Sequence, residues 1–104
     1  MSGPELTVGR RVIVEMVTLA ALSNPGVARV GRGGPAWRAL LAGPPVVTHL
    51  SGNGARIRLW IVARPGQELV ALGRDVRSAV TAAAERLLGL RLESVTVTVD
   101  GVGG

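Results

Sequence analysis

Apolar residues in this chain recur first every three to four positions, then every two, then every three to four, and finally every two again. That succession limits the fold more than any single motif, because the first spacing lines one face of a helix and the second one face of a strand. Val8, Val12, Met16, Leu19 and Ala20, with Ile13, Val17 and Ala21, mark a first helix. Thr7 is its expected cap and Asn24-Pro25-Gly26 its stop. Arg11, Glu15 and Thr18 form only a narrow polar stripe, so this helix is expected to bury more than one contact. Residues 46–50 and 55–63 read as strands joined by Ser51-Gly52-Asn53-Gly54, where Asn and Gly tolerate positive φ. In the second strand Ile57, Leu59, Ile61 and Ala63 share one face; Arg56, Arg58, Trp60, Val62 and Arg64 share the other. A long helix is expected over residues 67–88, with Leu69, Leu72, Val76, Ala79, Val80, Ala83 and Leu87 as its apolar stripe and Gly89 as its end. The last strand, residues 93–100, alternates Val95, Val97 and Val99 with Ser94, Thr96, Thr98 and Asp100.

The order helix, strand, strand, helix, strand predicts a two-layer α/β (α+β) domain over residues 6–102, with flexible ends at 1–5 and 103–104. One three-stranded sheet carries both helices on a single face, and the strand–helix–strand step is a right-handed crossover if its strands run parallel. Residues 27–30 are a short extended piece. Residues 32–45, with Trp37, Leu40 and Leu41, read as a loop insertion holding a turn or two of helix. No helix remains for the second sheet face. Arg56, Arg58, Trp60 and Arg64 are therefore expected to be exposed there in the monomer, or covered by another molecule. They are the candidate partner-binding residues, since Trp and Arg are enriched in interface hot spots and Arg stacks on indole.

Composition narrows the chemistry. With no Phe, Tyr or Cys, the core must be aliphatic, and disulfides, thiolate metal sites and cysteine nucleophiles are excluded. The one histidine, His49, sits in a short strand and is expected to face solvent. The carboxylates form no pair at a diagnostic spacing, so neither acid–base catalysis nor metal binding is expected, and no cofactor. Gly31-Arg32-Gly33-Gly34 lacks the third glycine of a dinucleotide loop and runs into Pro35; it reads as a flexible loop. The net charge of +5, all of its cations arginine, favours anionic partners. No signal peptide is read at the start, and the apolar run at 12–22 is shorter than the ~20 residues a bilayer requires.

Three blocks resemble the alkaline-shock-protein family of bacterial envelope stress response proteins. They are the helix ending in Asn24-Pro25-Gly26-Val27, the hairpin over residues 46–66, and residues 75–102, with their Val-Thr-Val-Thr-Val-Asp-Gly-Val ending. The order is also similar to KH domains and to ring-building motifs of secretion assemblies. The resemblance implies a non-enzymatic, cytoplasmic scaffold protein of the envelope stress response. Such a protein self-associates or docks to a membrane-anchored partner, and so sits peripherally at the inner face of the cell membrane. The alternative is a sequence-tolerant RNA- or DNA-binding module that uses the basic sheet face, with Trp60 as a stacking group.

Overall fold

The computed structural model describes residues 9–52 and 54–103. Its elements are α1 (Arg10–Leu22), β1 (Val27–Val30), α2 (Ala36–Ala42), β2 (Val46–Ser51), β3 (Gly54–Ala63), α3 (Leu69–Ala83) and β4 (Arg91–Val102). A five-residue π-helical turn (Ala84–Leu88) extends α3. The two-layer α+β plan is as the periodicities predict. Thr7, the expected cap, lies outside the described residues; Gly9 occupies the cap position and offers no side-chain bond.

β3 organises the sheet. β4 pairs with it in parallel along its whole length, while β1 pairs antiparallel with residues 61–63 and β2 antiparallel with residues 54–59. β1 and β2 follow one another along a single edge of β3, and Trp60 marks the junction. Its carbonyl accepts from the Gly31 N–H and its own N–H donates to the Pro45 carbonyl, both at 2.9 Å. The extended piece at 27–30 thus makes the sheet four-stranded rather than three-stranded. Asn24 aims it there: its side-chain oxygen accepts from the Gly26 N–H and its carbonyl from the Val27 N–H, a compact turn at the helix end.

The core lies between the sheet and two helices. Ile57, Leu59 and Ile61 from β3 meet Ile13 and Val17 from α1 and Val76 and Val80 from α3, all fully buried. Glu68 caps α3, its carboxylate accepting from the N–H groups of Val70 and Ala71. At the other end the π-helical turn inserts one extra residue into the helical register. The expected stripe continues from Ala83 to Leu87, but the insertion hands that place to Leu88, which packs on the core while Leu87 points outward. Gly89 then takes the left-handed conformation, φ 61°, as its position after a helix suggests. α1 likewise splits its apolar residues: Ile13, Met16, Val17 and Ala21 are buried, Val12, Leu19 and Leu22 exposed.

Thr48 is the one buried polar residue among those described, and its hydroxyl has no partner. Thr48→Val is expected to raise stability by about 1 kcal/mol, since it removes an unsatisfied group at nearly constant shape. Ile57→Ala should lower it by about 2–5 kcal/mol, as for other fully buried large-to-small changes. Leu40→Ala, on exposed α2, should stay within about 0.5 kcal/mol. Urea unfolding followed by circular dichroism checks all three.

Candidate functional site

α1 and α3 both pack on the face of β3 that carries Ile57, Leu59 and Ile61. Strand alternation puts Arg56, Arg58, Trp60 and Val62 on the opposite face. Antiparallel register adds Arg29 opposite Val62, Val47 opposite Arg58, and His49 opposite Arg56; parallel register adds Ser94, Thr96 and Thr98 from β4. The sheet face therefore mixes arginine and hydroxyl groups with Trp60, Val47 and Val62, and no helix among the described residues packs over it. His49 is exposed on the edge strand β2.

Trp60 departs from the expectation of exposure. It is only 9% accessible. The cover is a strap from its own chain: Gly31 is bonded to the Trp60 carbonyl, and the Arg32 guanidinium lies 3.5 Å from the indole centroid. Gly33 then reaches β4, its N–H donating to the Asp100 carboxylate at 2.8 Å. The strap thus crosses β3 from the β1 edge to β4. A Cβ at Gly33 would collide with the Asp100 carbonyl oxygen, so only glycine permits this approach. Gly31-Arg32-Gly33-Gly34 is thus an ordered clamp over an indole rather than a free loop. Arg58 flanks the same ring at 5.2 Å. Two guanidinium groups attend one indole because each is attracted to its negative π surface and weakly hydrated at its own flat faces. The Arg32 Nε is buried without a hydrogen-bond partner, so the stack is what holds that side chain down.

The other two arginines also have partners. Arg56 pairs with Glu93 of β4 at 3.2 Å, an exposed ion pair worth ~0–1 kcal/mol. Arg64, just past β3, donates to the Pro25 carbonyl and ties the strand end to the α1–β1 turn. The four candidates are therefore not one cluster. Arg58 and Trp60 stack, Arg56 bridges to β4, and Arg64 serves the far end of the strand. With its ring covered, Trp60 offers no face for a base to stack on.

Two apolar surfaces went unread in the sequence as sites. On the helix layer, α1 and the α3 end enclose an open groove lined by Val12, Met16, Leu19, Ala20, Ala83 and Leu87, with Glu15 and Arg86 at its rim. Leu19 and Leu87 are 69% and 65% exposed there. Separately, α2 carries Trp37, Leu40 and Leu41 at one-turn spacing and buries none of its residues. Their only advance signal was the over-wide stripe of α1 and the apolar content of the insertion.

No family model and no curated protein matches this chain. Solved structures do. The MamM CTD in a manganese form superposes with a TM-score of 0.58 at 19% identity, covering 89% of this chain and 99% of that one. A copper form gives 0.58 at 18% identity, covering 89% and 98%. MamM-CTD 215–293 gives the same score and identity as the copper form, covering 89% and 99%. These likenesses establish the fold. They also correct the resemblance to the alkaline-shock-protein family: these neighbours are MamM C-terminal domains, and no family model matches. The blocks behind it, a helix stopped by Asn-Pro-Gly, a hairpin and an alternating last strand, are what any chain of this element order requires. No group of three or more His, Cys, Asp or Glu placed to hold an ion occurs among the described residues, so the metals of those structures are not carried over.

Opening the clamp should uncover Trp60. In a Trp37→Phe background, where Trp60 is the sole indole, Gly33→Ala is expected to red-shift its emission and raise acrylamide quenching toward that of an exposed tryptophan. Unchanged emission and quenching would contradict the strap.

Proposed function

We propose that this chain is a non-enzymatic protein-interaction domain that self-associates and docks to a membrane-anchored partner at the inner face of the cell membrane. The observation that carries the reading is the apolar groove between α1 and α3. Leu19 and Leu87 stand exposed over it with Val12 beside them, and contiguous exposed apolar surface of this kind marks interaction sites. Ala20, Ala79 and Ala83 line the groove, so an amphipathic helix can approach closely, its apolar side meeting Leu19 and Leu87. Support also comes from the fold neighbours, which are C-terminal domains and so parts of longer chains.

Arg56, Arg58 and Arg64 are assigned as secondary contacts to an acidic partner surface, with Trp60 as the covered base on which Arg58 and Arg32 stack. Rim charges of this kind steer association more than they hold it. No helix of the described residues is long and apolar enough to cross a membrane.

Sedimentation velocity at micromolar concentration is expected to show dimers or larger species of the unmodified chain. A monomer throughout that range would contradict self-association. In cell fractionation the unmodified chain is expected in the membrane fraction and the Leu19→Glu, Leu87→Glu double variant in the supernatant. Equal partition of the two would contradict docking through the groove.

A further inference from the structure

Among the described residues β4 is bonded along one edge only, to β3. A free edge is a row of unpaired N–H and C=O groups, which proteins usually protect with a charge, a proline, a bulge or a covering segment. Residues 94–99 read Ser-Val-Thr-Val-Thr-Val, with no charge, proline or glycine. The irregularities in the β3–β4 ladder lie opposite Ala55/Arg56 and Ile61/Ala63, outside the middle of this stretch, which is regular strand. Nor is the edge sealed from the side. Val95, Val97 and Val99 are half-buried, whereas Ile57, Leu59 and Ile61 beside them on β3 are fully buried. An open groove separates the edge from α3, lined by Val70, Arg74 and Arg77 across from Val95 and Val97. Val70 is 77% exposed over it.

We propose that β4 pairs antiparallel with β4 of a second copy of this chain, about a two-fold axis at Val97, joining two four-stranded sheets into one. The stretch is chemically symmetric about that residue. With the axis at Val97, Val95 faces Val99 and Thr96 faces Thr98 in both directions. Valine then meets valine on the helix side and threonine meets threonine on the open side, the pairings favoured across antiparallel strands. That self-match is what selects a second copy over an unrelated extended peptide, and a two-fold seam requires such a self-complementary patch. The two α3 helices flank the seam, and Val70 of each helps close the groove. The proposal rests on the reading of the chain as self-associating and names the surface. It leaves the α1–α3 groove free for the partner.

The chain has no cysteine, so a single introduced thiol reports its own position. Equivalent residues at an antiparallel two-fold lie about 4.5–5.5 Å apart at Cα, inside the roughly 4.4–6.8 Å that a disulfide spans. Under mild oxidation Val97→Cys is expected to form a covalent dimer, and His49→Cys, on the opposite edge of the sheet, is expected not to. Thr96→Lys puts a charge on the edge strand at an exposed position, and should raise the dimer Kd at least about tenfold with unchanged circular dichroism. A dimer as tight with Thr96→Lys as without it overturns the pairing, as does cross-linking of His49→Cys as fast as Val97→Cys. Either result leaves self-association standing on another surface, whereas an unmodified chain that is monomeric throughout removes both.

Discussion

The structure depends on one strand that is bonded on both edges and buried on one face. β3 shares its ladder with β4 on one side and with β1 and β2 on the other, and its inward residues Ile57, Leu59 and Ile61 are fully buried against both helices. Trp60 is where the constraint is tightest. Its carbonyl ends the β1 pairing and its amide begins the β2 pairing, so residues 32–44 leave and rejoin the sheet at one residue. An excursion pinned at both ends to a central strand can hold α2 away from the core without loosening the sheet.

That pinning explains how a strongly basic chain keeps arginine on an uncovered sheet face. Lone guanidinium groups over a flat face would be merely solvated. Here Arg32 and Arg58 share an indole, Arg56 meets Glu93, and Arg64 meets a carbonyl. The face is ordered by the chain itself, so its indole is not on offer to a ligand. Exposed apolar surface lies elsewhere: on the helix layer at Val12, Leu19, Val70 and Leu87, and on α2. The polar β4 edge is a third unoccupied surface. A groove, a protruding helix and an open edge on one small domain fit association better than chemistry.

Much of this was legible beforehand. The alternation of Val95, Val97 and Val99 sets the face of β4, the stripe Leu72, Val76 and Val80 sets the buried side of α3, and Gly89 sets its end. All three are local signals. What the pattern left out is non-local or breaks a period. The strap depends on Gly33 meeting Asp100, 67 residues away, and nothing local marks that glycine as different from its neighbours. The π-helical turn moves Leu87 out and Leu88 in, which no strict helical stripe foretells. The exposure expected of Trp60 failed because a two-layer count of helices and strands takes no account of loops. The family resemblance failed because its motifs encode element order, which unrelated chains share.

Residue-resolved amide hydrogen exchange on dilute protein tests the central role of β3 most directly. The amides of Ile57, Leu59 and Ile61, and that of Trp60 bonded to Pro45, are expected to exchange last of all, through global unfolding. Those of α2 should exchange at close to the rate of an unfolded peptide. Protection of α2 equal to that of β3, or early exchange of the Trp60 amide while α1 and α3 stay protected, would contradict the account.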